Sequence, residues 1–302
     1  MAGGDIAAGA RITATQASGE RRLRPYLMFI WPALIVSSAL IIFPWIFTIW
    51  MSLHDWHIGS ASTFVWFDNY TNLATNRRFL EAVGHTLYFT VLAVFLPMLL
   101  GTWAALVFHK KFRGRGFYRT LFIMPMMATP VAVSLIWTMM FHPQLGVLNY
   151  LLSLVHLPPS AWVYSPNTVI PTLVMVETWQ WTPLVMLIVL GGISGLPIDP
   201  YEAAIIDGAN GWQMFRYITF PLVWPFIIVA TVMRIIDALK TFDTIFVITN
   251  GGPGTASETI NMLLYQTAFG YYDLGYGSAM VVVFFVLIML ISLVLLRVRK
   301  VQ

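Results

Sequence analysis

The residues that could do chemistry in this chain are few, and most of them lie inside long apolar segments. Glu177, Gln180 and Trp181 have the spacing i, i+3 and i+4, which places them on one face of a helix, whereas Trp179 lies on another side. Such polar groups can hydrogen-bond a polar solute, and the aromatic rings can stack on its C–H surfaces. The structural alternative is that Glu177 pairs with a residue of another helix while the tryptophans pack.

A second polar group stands at the end of a later apolar segment. Arg234, Asp237, Lys240 and Thr241 follow one another at helical spacing, and Asp243 comes just after them. A charge at the centre of a bilayer costs about 2.5 kcal/mol or more, so ionisable residues in such segments are candidates for function. Either the first three neutralise one another as a local run of ion pairs, or the group forms a wall of a solute path; the sequence leaves both open.

Other chemistry is largely excluded. The chain contains no Cys, which excludes disulfides, thiolate metal sites and cysteine nucleophiles. The sequence also lacks the P-loop, H-E-x-x-H and G-x-S-x-G patterns of ATPases, metalloproteases and hydrolases. His54 and His57 form an H-x-x-H pair without a third ligand nearby, for which interfacial packing is the expected role. We therefore predict that the chain is not an enzyme and itself binds no metal and no cofactor.

The elements that position these residues are membrane helices. Only 10% of the residues are charged, against about 25% in soluble proteins, which excludes a soluble globule and a disordered chain. A helix needs about 20 apolar residues to cross the hydrocarbon core. Six segments qualify: about 26–51, 85–108, 120–141, 169–193, 218–240 and 277–297. We predict an all-α polytopic membrane protein, with a flexible arm over 1–25 and a single transmembrane domain over 26–300.

The basic residues predict the orientation of these spans. Thirteen of the 17 Lys and Arg residues fall in the N-terminal arm, in the loops after spans two and four, and in the C-terminal tail. The positive-inside rule places this face, with both termini, in the cytoplasm. The basic loop after span two is expected to contact lipid headgroups rather than nucleic acid. Three longer connections remain on the opposite face: 52–84, 142–168 and 241–276.

The loop between spans four and five, about 194–217, has the pattern of two short helices with a turn. Asp199 is predicted as the N-cap of the first helix, and Pro200 follows at the first helical position. Gly208 can end that helix in the left-handed conformation. Asn210 and Gln213 repeat the cap signal, so a second helix is expected to begin there and to run into span five.

This loop also resembles a known family. It carries, in order and at matching spacing, Glu202-Ala203-Ala204, Gly208, Ile218 and Phe220-Pro221. The pattern is similar to the EAA signature of inner-membrane permease subunits of binding-protein-dependent ABC importers, with Phe220 in place of a leucine. The segments 179–183 and 242–255 are similar to the carbohydrate-uptake branch of that family.

The resemblance implies roles for several residues and names the partners. Glu202, Ala203, Ala204, Asp207 and Gly208 would form a coupling helix that docks on a separate ATPase subunit, where ATP and Mg²⁺ are bound. A stretch of the outer face would lie near a solute-binding protein; it consists of Asn250, Gly251, Gly252 and Pro253. A plain loop is nearly as good an account of this stretch. The implied partners are a second homologous permease subunit in a heterodimer, two ATPase subunits, an extracytoplasmic solute-binding protein and membrane lipid, with no nucleic acid.

Together these features predict the transmembrane subunit of an ATP-driven ABC importer in the bacterial inner membrane. It would form half of the path for a sugar or a related polyhydroxylated solute. The path residues are predicted to be Glu177, Trp179, Gln180, Trp181, Asp237, Lys240, Thr241 and Asp243. The alternative is a secondary transporter in which Glu177 and Asp237 couple transport to an H⁺ or Na⁺ gradient.

Overall fold

The computed structural model describes residues 30–300 and is mostly helical in that range. The flexible arm predicted over 1–25, and residues 26–29 of the first predicted span, lie outside the described residues. In chain order the elements are α1 (Ile30–Ser52), β1 (His54–Asp55), β2 (Thr63–Phe64), α2 (Asp68–Thr75), α3 (Arg77–His109), α4 (Arg115–Met127), α5 (Pro130–Met140), α6 (Val147–Leu154), a 3₁₀ turn (Trp162–Tyr164), α7 (Val169–Ser194), α8 (Asp199–Ile206), α9 (Gly211–Met214), a π-helical turn (Phe215–Thr219), α10 (Phe220–Leu239), α11 (Asp243–Ile248), α12 (Ile260–Tyr265), a second π-helical turn (Gln266–Gly270) and α13 (Leu274–Lys300).

Five helices are long and apolar enough to cross a membrane. They are α1, α3, α7, the continuous helix Gly211–Leu239 and the Leu274–Val294 part of α13. The bent pair α4 and α5 makes a sixth crossing if the two are counted as one span. The strands are limited to one two-residue antiparallel pair, β1 with β2, in the described part of the chain. The prediction of an all-α polytopic membrane protein is confirmed.

The third predicted span, about 120–141, is not one straight helix. The axes of α4 and α5 meet at 97°. Pro130 opens α5, and a proline disfavours the helical conformation in the residue before it. Ala128 and Thr129 are accordingly extended, with ψ of 145° and 139°. The break leaves the carbonyl of Ala128 without a helical partner, and the amide of Gln180 donates to it at 3.3 Å.

The second span begins earlier than the apolar pattern predicts. The side chain of Asn76 accepts hydrogen bonds from the backbone N–H groups of Arg78 and Phe79, at 3.0 and 3.3 Å. This N-cap starts α3 at Arg77, in polar sequence, where hydropathy gives no signal. The predicted connection 52–84 is therefore shorter, and it contains β1, β2 and α2.

Helices α3 and α7 pack against each other at the centre of the bundle. A Cβ built on Gly101 of α3 would lie 2.6 Å from the Cβ of Val185 on α7, so the glycine permits the close approach of the two helices. A buried cluster that includes Val185, Met186 and Ile227 packs α10 against this pair. By contrast, α1 is almost entirely exposed, and Trp45 contacts Phe285 of α13 with ring centroids 4.2 Å apart.

Candidate solute path and coupling loop

A polar cavity of about 260 Å³ lies where α5, α7, α10 and α11 meet. It brings together residues from the two polar groups that the sequence singles out. Those lining it are Glu177, Trp181, Asp237, Lys240, Thr241 and Asp243, together with Pro130, Arg234, Phe242 and Thr244. Six of the eight predicted path residues therefore share one cavity.

The wall of this cavity holds a buried ion pair. The guanidinium Nη2 of Arg234 donates to Oε2 of Glu177 at 3.1 Å and to the carbonyl of Ala93 at 3.2 Å. Arg234 is 1% exposed and Glu177 is 2% exposed. The hydroxyl of Thr244 donates to Oε1 of Glu177 at 3.4 Å, and the indole of Trp181 lies 5.1 Å from the guanidinium carbon of Arg234. Two charges can be buried here because each has an opposite charge and further polar or aromatic contacts.

This geometry decides between the alternatives for Glu177 and Arg234. Glu177 pairs across helices, which is the structural alternative stated for it. For Arg234 the alternative of a local run of ion pairs within α10 is wrong, because its carboxylate partner is Glu177 of α7 and not Asp237. Periodicity within one helix cannot reveal a partner on another helix.

The other charged groups stand on the open side of the cavity. Asp237, Lys240 and Asp243 are exposed, and none of them forms a salt bridge with another residue of the described range. The cavity thus has a neutral buried pair on one side and two carboxylates and one ammonium group on the other. These groups are free to bind hydroxyl groups or water.

Two predicted path residues lie elsewhere. Gln180 is 1% exposed and holds the Ala128 carbonyl at the break between α4 and α5. Trp179 lines a separate, apolar cavity and contacts Trp137 with ring centroids 5.7 Å apart. Neither side chain lines the polar cavity.

The loop after α7 folds as the sequence predicts, with one shift. Gly208 has φ +76° and ends α8, and the N–H of Ala209 donates to the carbonyl of Ala204 at 2.9 Å. Asn210 and Gln213 exchange the two hydrogen bonds of a capping box, at 2.8 and 2.9 Å. The second helix continues through the π-helical turn into α10. The shift concerns Asp199, which is the first residue of α8 rather than its N-cap and makes no capping bond.

The surface of this loop is apolar as well as acidic. Glu202, Ala203, Asp207 and Gly208 are exposed, and Ala204 is half-buried. Beside them are large apolar side chains that sequence reasoning left aside: Ile205, Ile206, Trp212 and Tyr217, of which Ile206 is 85% exposed. The sequence could have predicted this exposed apolar surface, because a short helix that ends in two isoleucines cannot bury them by itself.

The 249–254 loop, which contains the predicted binding-protein contacts, is held by hydrogen bonds. Asn250 and Gly254 are exposed, whereas Gly251 is buried and Gly252 and Pro253 are half-buried. The hydroxyl of Ser257 donates to the carbonyl of Gly252 at 2.6 Å. The backbone N–H of Ser257 donates to the carbonyl of Gly251 at 3.1 Å.

The residue after Ser257 ties this loop to the bundle. Glu258 accepts two hydrogen bonds from the guanidinium group of Arg78 on α3, at 2.7 and 2.8 Å. Arg78 also donates to Gln266 at 2.7 Å and to Tyr271 at 3.2 Å. Sequence reasoning missed this cluster because its members are distant in the chain. The sequence offered one indication of it: Arg78 is one of the four basic residues that lie outside the predicted cytoplasmic segments.

The helical bundle, its internal polar cavity and its exposed helix-turn-helix loop define a polytopic membrane protein of the transport class. Residues 98–301 match the family described as "Binding-protein-dependent transport system inner membrane component". The chain belongs to this family of inner-membrane transport components.

Relatives agree with this assignment over most of the chain. The trehalose/maltose transport system permease protein MalF of Thermococcus litoralis is 36% identical over 279 residues, 91% of this chain and 93% of the relative. The sulfoquinovosyl glycerol transport system permease protein SmoG of Agrobacterium fabrum is 32% identical, covering 93% and 92%. A chain of a bacterial alginate ABC transporter, solved with an alginate-bound periplasmic protein, superposes with a TM-score of 0.81 at 21% identity, covering 92% and 94%. This last likeness concerns the fold alone.

Proposed function

We propose that this chain forms one half of the membrane path of an ATP-driven importer for a sugar or a related polyhydroxylated solute. The polar cavity carries the proposal. It places exposed carboxylates and an ammonium group beside the indole of Trp181, where α7 and the end of the span Gly211–Leu239 meet. Hydroxyl groups of a sugar can donate to Asp237 and Asp243 and accept from Lys240, while the ring provides a stacking face.

The small size of the cavity supports the proposal that this chain provides only half of the solute site. Small-molecule sites usually enclose about 300–1,000 Å³, and this cavity of about 260 Å³ is smaller. A second homologous permease subunit would supply the opposite wall and complete the path. The relatives named for trehalose/maltose and for sulfoquinovosyl glycerol transport support a sugar as the solute.

The loop after α7 is proposed to connect this chain to an ATPase. Glu202 would face a basic group of that subunit, the small side chains of Ala203 and Ala204 would permit close approach, and Ile205 and Ile206 would be buried on docking. ATP and Mg²⁺ would be bound by two such ATPase subunits. Their closure would move the loop and bias the bundle towards one of two states, which is how the ATPase and solute sites would be coupled.

The positions of the remaining partners follow from the orientation of the chain in the membrane. The positive-inside distribution supports a cytoplasmic location for both termini and for the loop after α7. The 249–254 loop would then face the extracytoplasmic solute-binding protein. The ion-coupled alternative has less support, because Glu177 is already paired with Arg234 and because the family is that of binding-protein-dependent systems.

Reconstitution of the complete transporter tests the energy source. We expect proteoliposomes that contain this chain, its second permease subunit, the ATPase subunits and the binding protein to take up labelled trehalose or maltose only with ATP on the ATPase side. Collapse of the H⁺ and Na⁺ gradients should leave uptake unchanged. Uptake driven by an ion gradient without ATP would contradict the proposal, and a binding protein that takes only amino acids or peptides would contradict the sugar class.

A matched pair of tryptophan variants tests the cavity. Trp181→Ala removes the stacking face of the polar cavity, and Trp179→Ala makes the same change two residues away on the other side of α7. We expect Trp181→Ala to lower uptake at least tenfold and Trp179→Ala to lower it less than threefold, with equal recovery of the assembled complex. Equal losses in both variants would mean that the polar cavity is not the solute path.

A further inference from the structure

A second cavity lies away from the polar cavity, between α3, α4 and α7. It has a volume of about 710 Å³ and mostly aliphatic and aromatic walls, which include Leu96, Trp103, Phe108, Tyr118, Leu121 and Trp179. Trp103 is 65% exposed and Leu121 is 55% exposed, so the cavity opens sideways as a groove towards the hydrocarbon of the bilayer.

The groove has the length of one leaflet. Leu96 and Phe108 both line it. Their separation of twelve residues corresponds to about 18 Å along α3. One leaflet contributes about half of the ~30 Å hydrocarbon core. A single acyl chain, running along the bilayer normal, therefore fits the shape and the chemistry of the groove.

The end of the groove near Phe108 and Tyr118 is strongly basic. The adjoining loop and the start of α4 carry Lys110, Lys111, Arg113, Arg115 and Arg119, and the sequence has no acidic residue between Glu81 and Glu177. In the described part of the chain, no salt bridge or side-chain hydrogen bond involves any of these five cations. Their charge is thus uncompensated by the described protein.

Two of these cations share a face of α4 with residues that line the groove. Arg115 and Arg119 are half-buried, whereas Lys110, Lys111 and Arg113 are exposed. On α4, Arg115 precedes the lining residue Tyr118 by three positions, and Arg119 precedes Phe122 in the same way, so each arginine shares a face with a lining residue. Helical side chains lean towards the N-terminus, which directs both guanidinium groups to the basic end.

The N-terminus of α4 adds to this positive potential. Its N-cap, Gly114, has φ +82° and provides no side-chain cap, and no acidic residue stands in the first turn. The positive end of a helix dipole beside two arginines is unfavourable unless an anion is present. An anion at this end would stabilise the helix start and both arginines together.

We propose that the groove is a binding site for an anionic phospholipid. One acyl chain lies along α3 and α4 in the groove, and the phosphate lies between Arg115 and Arg119 at its basic end. Basic pockets between membrane helices bind anionic headgroups in this manner. The lipid would cover the apolar walls and compensate the two arginines at once.

Native mass spectrometry of the assembled transporter tests the site. The complex is equilibrated with equal amounts of phosphatidylglycerol and phosphatidylcholine that carry the same acyl chains. We expect phosphatidylglycerol to be retained at least fivefold over phosphatidylcholine. The double variant Arg115→Gln, Arg119→Gln should lose this preference, whereas Lys110→Gln, Lys111→Gln removes the same charge from the exposed part of the loop and should change retention less than twofold.

A variant of the apolar wall provides an independent measurement. Leu121→Trp fills the groove without a change of charge, and we expect it to reduce phosphatidylglycerol retention at least fivefold in complexes that elute as fully assembled. Equal retention of the two lipids, or equal losses in both charge variants, would overturn the proposal. Retention of phosphatidylglycerol by the isolated chain but not by the assembled transporter would also overturn it, because the second permease subunit would then occupy the groove.

Discussion

The fully buried Arg234 is tolerated because Glu177 compensates its charge. Burying an ionised group without a partner is far more costly than burying a neutral one, and removal of one member of a buried pair typically costs about 3–5 kcal/mol. The pair also joins α7 to α10, since Glu177 belongs to the first helix and Arg234 to the second. It therefore serves the packing of the cavity wall, while the exposed charges of the cavity are not part of this pair.

Removal of one charge of this pair should destabilise the protein. Glu177→Gln leaves Arg234 uncompensated, and we expect a loss of about 3–5 kcal/mol of stability, with a lower unfolding temperature of the purified protein. The double variant Glu177→Gln, Arg234→Gln should regain part of that loss. Asp237→Asn makes the same chemical change on the exposed side of the cavity, where we expect no measurable effect on unfolding. Equal destabilisation by Glu177→Gln and Asp237→Asn would contradict a compensating role for Glu177.

The loop after α7 depends on one backbone conformation. Gly208 has φ +76°, and a β-branched residue in a left-handed conformation costs at least about 1–2 kcal/mol. We expect Gly208→Val to abolish uptake and to weaken co-purification of the ATPase, while membrane insertion stays normal. Gly211→Val changes a nearby glycine without a positive φ and with no atom near a built Cβ, and should be tolerated. Normal uptake by Gly208→Val would exclude this role for the turn.

Glu202 tests the same loop through its charge. The carboxylate is exposed and has no salt bridge with another described residue, so a change there has little effect within this chain. Glu202→Lys should abolish ATP-dependent uptake by repulsion from a basic group of the ATPase, and Glu202→Gln should reduce it only in part. Unchanged uptake and unchanged ATPase co-purification in Glu202→Lys would contradict the docking proposal.

At the scale of helices, close packing of α3 on α7 depends on Gly101. A methyl group there would lie 2.6 Å from the Cβ of Val185, and overpacking of this kind costs about 1–3 kcal/mol. We expect Gly101→Ala to lower the unfolding temperature of the detergent-purified protein. Gly84→Ala, on the same helix with no atom within 4 Å of the built Cβ, is the control and should not lower it. Equal unfolding temperatures of the two variants would mean that α3 and α7 move apart at Gly101 without loss of stability.

The sequence predicts these elements better than their mutual contacts. Apolar length finds the spans, and cap residues such as Asn210 and Gly208 predict the two short helices of the loop after α7, because both signals are local. The 97° bend could have been anticipated from Pro130, but its angle depends on tertiary packing. The partners of Arg234 and of Arg78 are 57 and 180 residues away in the chain, so no periodicity within a helix could have identified them.

At the scale of the whole molecule, two surfaces expose large apolar side chains. The loop after α7 exposes apolar and acidic side chains on one side of the bundle. On α1, apolar side chains such as Trp31, Leu40 and Phe43 are exposed along a helix that barely contacts the rest of the chain. Lipid can cover such a helix, and so can the second permease subunit of the proposed heterodimer.

The anchor between α3 and the 249–254 loop should control contact with the solute-binding protein. Arg78 makes a bidentate ion pair with Glu258, whose side chain is 3% exposed, so Arg78→Gln leaves a buried carboxylate uncompensated and frees the loop. We expect the affinity of the solute-loaded binding protein for the transporter to fall at least tenfold, while ATPase co-purification is retained. Binding measured by surface plasmon resonance on nanodisc-embedded transporter gives the readout.

The neighbouring arginine provides the control for this anchor. Arg77 is 92% exposed and pairs with Glu81 on its own helix, so Arg77→Gln removes the same charge from the same surface without touching the loop. Exposed pairs of this kind contribute about 0–1 kcal/mol, and we expect less than a twofold change in affinity. If Arg77→Gln weakened binding as much as Arg78→Gln, the effect would arise from surface charge alone. A selective loss in Arg78→Gln would instead mean that the binding protein recognises the shape in which Glu258 holds the loop.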